Sequence, residues 1–175
     1  MNHEQILKYQ QKFTEHFQEV DGSAQIMLKG HLLVEEALEA IIGKFVFHPE
    51  FIEDASLRFP QKIDIARSMS LDEHNNEMWQ LGIAINSLRN ELAHSLKSDK
   101  RQRKTRTLID LYVRLLEDNT DRHKDDSEEV ILMFAISFFL GFLCSFQNEV
   151  ERFRSVVDEM DRIWNPHRYG ADKKV

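Results

Sequence analysis

Midway along this 175-residue chain the stretch SLRNELAHS, residues 87–95, places Arg89, Asn90 and His94 within six positions. Histidine ionises close to neutrality and can act as acid or base. Arginine stays charged and presents a planar fork of donors that matches a phosphate. Asparagine is a poor helix former whose short carboxamide suits a positioned hydrogen bond better than a solvated helix face. Together these groups could cleave RNA without a metal. A histidine would activate the ribose 2′-hydroxyl or protonate the leaving oxygen, while the arginine stabilises the charge that grows on the phosphate. The bland alternative is a solvated helix face opposite an apolar stripe.

The element that carries these residues is a helix expected over about Glu73 to Ser95. Its residues advance by about 100° each, so Leu81, Ile85, Leu88 and Leu92 form one apolar line. Asn86, Asn90, His94 and Lys97 fall opposite, with Arg89 and Glu91 on the two flanks. On this reading the polar line points away from the core of its own subunit. Just downstream, KSDKRQRKTR gathers Lys97, Lys100, Arg101, Arg103, Lys104 and Arg106 around Asp99. That run could hold a nucleic-acid backbone beside the motif, or be a solvated basic turn that pairs with the acidic loop after Leu116. A helix TLIDLYVRLLED, residues 107–118, is expected to follow it.

The rest of the chain reads as helices too. With 42% hydrophobic residues, 30% charged, and only 6 Gly and 3 Pro, the composition is that of a globular, helical protein of one domain, residues 1–175. A weak amphipathic helix is expected from about His3 to Val20, and a central one through AQIMLKGHLLVEEALEAIIGKFVF that stops before Pro49. A short helix is expected over Gln61–Met69, and a last one contains VILMFAISFFLGFLCSF, residues 130–146, without a charge. That run sits at the short edge of what spans a bilayer and lacks basic or aromatic flanks, so it is read as a core helix and no membrane is expected. A helix apolar all round needs cover on every side, which a second subunit could supply. The core is placed at about 24–158 and the tail 159–175, interrupted at Pro166, is read as peripheral.

Other chemistry is thin. Acidic residues outnumber basic ones 30 to 23, so nucleic acid would have to be met by a local patch. His31, Glu35 and Glu39 share a line at four-residue spacing on the central helix: a conceivable metal site, polar support such as Glu35 behind Arg89, or a surface salt-bridge row. His3, His16, His48, His74, His123 and His167 are scattered and read as surface residues. Cys144, the single cysteine, reads as a small buried hydrophobe in a reducing compartment. The N-terminus lacks a basic segment followed by an apolar one, which makes the cytoplasm the expected location. No cofactor or metal is expected, since there is neither a Gly-rich phosphate loop nor a Gly-x-Ser-x-Gly elbow.

RNELAH, an Arg-x(4)-His string with Asn beside the Arg, resembles the Arg-x(4–6)-His motif of the HEPN superfamily, the higher eukaryotes and prokaryotes nucleotide-binding domains. The resemblance extends from about Ala24 to Phe146 through the order of the helices. More loosely, FPQKIDIARSMSLD followed by LRNELAHS resembles the mannitol-operon-repressor group. The first resemblance implies an all-α HEPN-like bundle of about five to six helices, homodimeric, with paired motifs meeting in a cleft. It implies a metal-independent endoribonuclease, a toxin, phage-defence effector or RNA-processing enzyme, that leaves a 2′,3′-cyclic phosphate. Arg89 would then contact the scissile phosphate, His94 would be the acid/base group, and Asn90 would orient one of them or the RNA. An antitoxin or regulatory protein would be a natural partner. Other members of the superfamily have lost activity and act as regulators or interaction modules, which is the alternative for this chain.

Overall fold

A computed structural model describes residues 11, 21–71, 77–94, 99–116, 123 and 125–169. The helix expected before Val20 lies outside the described residues apart from Gln11. Six α-helices and no strands are present among the described residues: α1 (Gly22–Phe45), α2 (Pro49–Asp54), α3 (Phe59–Ser68), α4 (Glu77–His94), α5 (Asp99–Leu115) and α6 (Glu128–Trp164), followed by a 3-10 turn, Pro166–Arg168.

Local chemistry sets most of the boundaries. Asp21 caps α1 by accepting from the Ala24 amide (3.0 Å), and Pro49 stands in the first turn of α2, where a missing N–H does no harm. The short helix α2 was not expected from the sequence. In α3 the Gln61 side chain accepts from the Arg58 amide (2.9 Å), and Ser127 caps α6 through the Val130 amide (3.4 Å). The basic run begins α5 rather than forming a turn before it: with neither Gly nor Pro after Asp99 and an acid in the first turn, the helix starts eight residues earlier than expected. At the other end Asp161 accepts from Asn165 Nδ2 (2.6 Å), Arg168 Nη1 (2.9 Å) and Tyr169 Oη (2.7 Å), which folds the chain back after Pro166. Residues 159–164, the first part of the tail, continue α6 and are mostly exposed.

The bundle is organised around α1 and α6. Gly30 meets Ile136, Lys44 pairs with Glu151 (3.0 Å), Phe45 stacks on Phe153, and Arg154 Nη1 donates to the Phe45 carbonyl (3.1 Å). These contacts step along both helices in the same order, so α1 and α6 run parallel. Helix α4 runs against them: Gly82 meets Phe139, and Trp79, almost fully buried, sets its ring edge-on to Phe139, Phe142 and Phe146. Two glycines permit this depth of packing. A Cβ on Gly30 would stand 2.5 Å from Ile136 Cδ1, and one on Gly82 would stand 2.5 Å from Phe139 Cζ and 2.9 Å from Ile63 Cδ1.

The 37 residues of α6 make a rod of about 55 Å. Leu132, Ala135, Ile136, Phe139 and Leu143 face the core, Phe134 and Phe138 lie partly exposed against His123 and Tyr112, and Met133 and Cys144 lie on the outer face. Cys144 is therefore exposed, contrary to the buried site expected for it, because α6 is apolar on both faces and only one is packed. Beyond the end of α1 the helix continues with Val156, Met160, Ile163 and Trp164 exposed. By length and composition α6 could cross a membrane, a test that core helices of soluble proteins also pass. His123, read as a surface residue, is buried between Tyr112 Oη (2.9 Å) and Asp126 (2.7 Å) and ties the segment before α6 to α5.

The close approach at Gly82 makes a direct prediction. Gly82→Val should lower unfolding free energy by about 1–3 kcal/mol in urea denaturation, because three added carbons have no room beside Phe139. A variant as stable as the parent would show that the α4–α6 contact yields easily.

Candidate functional site

The polar line of α4 does not point simply outward. Helix α4 packs against α1, α3, α5 and α6, so the flank beside its apolar stripe is covered by α1. His31 of α1, 4% exposed, approaches Asn86 Oδ1 with Nε2 at 3.1 Å. Asn90 Nδ2 donates to the same oxygen over 3.4 Å, and Arg89 Nη1 donates to Asn90 Oδ1 at 3.1 Å. Asn86, Arg89 and Asn90 are half-buried. The result is a polar chain His31–Asn86–Asn90–Arg89 in a seam between α1 and α4.

A second group closes the seam from α3. Lys62 sends its ammonium to Glu35 (2.6 Å) and Glu39 (2.5 Å), so the acidic pair of α1 is neither a surface row nor a support for Arg89 but a clamp on a buried lysine. Burial works against the charge on Lys62, yet the two carboxylates outweigh it and hold its pKa above the ordinary lysine value. Held by Lys62, Glu35 leaves His31 Nδ1 at 3.9 Å, beyond hydrogen-bond reach, and that nitrogen has no partner. Phe59 stacks on the His31 ring at 4.2 Å. Among the described residues no group of three His, Cys, Asp or Glu could hold a metal ion.

The expected site residues separate into two sets. Arg89 and Asn90 are in contact, while His94, the last residue of α4, is exposed and makes no hydrogen bond or ion pair among the described residues. At five residues' separation it lies about 140° around the helix from Arg89. Arg89 itself has no ion pair among the described residues, and its Nε is buried without an acceptor. Of the basic run, Lys97 lies outside the described residues. Arg101 pairs with Asp21, and Lys104 donates to Glu91 (3.1 Å) and to the Ser87 carbonyl (3.2 Å). Lys100, Arg103 and Arg106 are exposed on the first turns of α5, with no ion pair among the described residues. Sequence reasoning passed over Asn86's partner and Lys62 altogether. The one available signal was His31 itself, a ring flanked by the apolar residues of a central helix.

Burial, opposed by the hydrogen bond to Asn86, pushes the His31 pKa below 6.5; Arg89 and Lys62 add to the lowering and Glu35 offsets part of it. The folded protein therefore binds fewer protons here than the unfolded chain, so the contribution is intact above pH 6.5 and is lost as pH falls through that value toward the depressed one. Relative to His31→Phe, the parent should lose stability on acidification from pH 7.5 to 5.5 in denaturant titrations; parallel curves would mean that His31 titrates normally. Arg89, with a buried donor unsatisfied, should be a liability to the fold: Arg89→Met is expected to leave stability unchanged or raise it by about 0.5–2 kcal/mol in the same assay. A marked loss would make the guanidinium a structural member. No protein-family model matches this chain, and no curated protein or solved structure matches it significantly.

Proposed function

We propose that this protein is a HEPN-type endoribonuclease that cleaves RNA without a metal, working as a homodimer, in the manner of a toxin or defence effector. The observation that carries this reading is Arg89, a half-buried arginine with no ion pair among the described residues, held instead by a neutral carboxamide. Half-buried arginines are ordinarily matched by carboxylates, and one left uncompensated is ready for an anion. In the reaction, the ribose 2′-oxygen attacks phosphorus as its proton passes to a base, and the bond to the 5′-oxygen breaks as that oxygen takes a proton. The products are a 2′,3′-cyclic phosphate and a 5′-hydroxyl. Arg89 stabilises the charge on the phosphate, Asn90 orients Arg89, and an exposed His94 is the acid or base. With Arg89 and His94 on different sides of α4, a second subunit facing the first would complete the set. Lys100, Arg103 and Arg106, one helix away, would hold the RNA backbone.

A second reading has its own support. The Asn86–Asn90 pair is engaged within the fold and α6 leaves apolar side chains uncovered, which suits a non-catalytic regulator or interaction module that binds a protein partner. Incubation of the purified protein with structured and unstructured RNA in EDTA, beside Arg89→Ala and His94→Ala, separates the two. Cleavage by the parent that leaves cyclic phosphate ends, reduced about 100-fold or more in each variant, is expected. Equal cleavage by all three proteins, or by none, would reject the catalytic reading.

A further inference from the structure

We infer that His31 is a positioning residue for Arg89: its Nε2 proton gives the Asn86–Asn90 chain one direction and so fixes the Arg89 guanidinium. The inference rests on the reading of Arg89 as the phosphate-binding group, and deepens it by naming what holds that group in place.

The argument is one of donors and acceptors. Asn86 Oδ1 accepts twice, from His31 Nε2 (3.1 Å) and from Asn90 Nδ2 (3.4 Å), which turns Asn90 Oδ1 toward Arg89 Nη1 (3.1 Å). A carboxamide exchanges its oxygen and nitrogen by a half-turn, and an isolated Asn has little reason to prefer one pose. Were Asn86 reversed, its NH₂ would face the NH₂ of Asn90, and Asn90 would turn a donor toward the guanidinium. The chain keeps its direction only if His31 carries its proton on Nε2.

Lys62 enforces that tautomer. It draws Glu35 away, so a proton on Nδ1 would meet no acceptor: the carboxylate oxygen stands 3.9 Å off. The charged groups that face the ring are Glu35 on its own helix, Lys62 from α3 and Arg89 from α4, while α6 offers Ile136 beside Gly30. Phe59 stacked on the ring fixes its plane. Three helices thus converge on the position of one hydrogen atom, three hydrogen bonds from the end of a chain whose outer member, Arg89, is uncommitted to any carboxylate among the described residues.

The test uses two substitutions of opposite chemistry. His31→Phe keeps the ring and its stacking on Phe59 but donates nothing, whereas His31→Gln restores an N–H donor. Binding of a 2′-O-methyl oligoribonucleotide, which cannot be cleaved by 2′-oxygen attack, is measured for both, for Arg89→Ala and for the parent, with thermal unfolding of each. Arg89→Ala and His31→Phe should each weaken binding about tenfold, and His31→Gln should return it to within about twofold of the parent. If Arg89→Ala weakens binding and His31→Phe does not, the positioning role is overturned while the phosphate reading stands. If His31→Phe and His31→Gln weaken it equally, alongside a common loss of thermal stability, His31 is structural only. If the parent binds nothing, or Arg89→Ala binds like the parent, the phosphate reading fails. The NMR signals of the Asn86 and Asn90 side-chain amides in the free protein then decide: displacement in His31→Phe and recovery in His31→Gln support positioning, and unchanged signals reject it.

Discussion

The depth at which α6 lies against α1 and α4 governs the rest of the molecule. Gly30 and Gly82 remove the two side chains that would hold the helices apart, so Ile136 and Phe139 sink to backbone level. Dispersion and apolar burial both gain from that approach, since the Trp79 ring then packs edge-on against Phe139, Phe142 and Phe146. The same approach orients α1. With Gly30 turned to α6, the next residue is rotated by about 100° and comes to face α3 and α4. His31 owes its place in the polar seam to the glycine before it.

That seam trades packing for direction. A leucine at position 31 would satisfy the surrounding core of Met27, Val34 and Ile85 and would require no partner. Instead the fold carries a buried imidazole held by Asn86 and a buried lysine held by two carboxylates. Polar groups in a low-dielectric setting are rigid when satisfied and expensive when not, so such a network restricts geometry more than it adds stability. Its cost surfaces at two atoms, His31 Nδ1 and Arg89 Nε, which remain without partners.

The sequence made the helical class, the central helix and the RNELAH motif legible, because each depends on residues close together along the chain. The apolar line of Leu81, Ile85 and Leu88 was correctly the buried one. Reading the opposite flank as outward held for His94 but not for Asn86, which meets α1, or for Asn90, bonded to it, because a helical wheel contains no information on how many neighbours a helix has. The pairing of His31 with Asn86 spans 55 residues and that of Lys62 with Glu35 spans 27, both fixed only by which helices meet. Cys144 and His123 were misplaced for related reasons. A uniformly apolar helix does not reveal which face is left bare, and an isolated histidine in a polar loop does not announce that Tyr112 awaits it.

The parallel pairing of α1 with α6 joins residues more than 100 positions apart in sequence, such as Phe45 and Arg154. Contacts so remote in sequence make closure of the bundle a late event, and they raise contact order well above that of a helical hairpin protein. On a ribosome, α1 leaves the exit tunnel long before α6 exists, with Met27, Val34, Leu38 and Ile41 lacking their main partner. Until α6 has emerged to fix the rotation of α1, the chain has the Arg89 motif but no ordered seam to hold it. Acquisition of the ordered site is in this way coupled to the emergence of α6, as a property of topology alone.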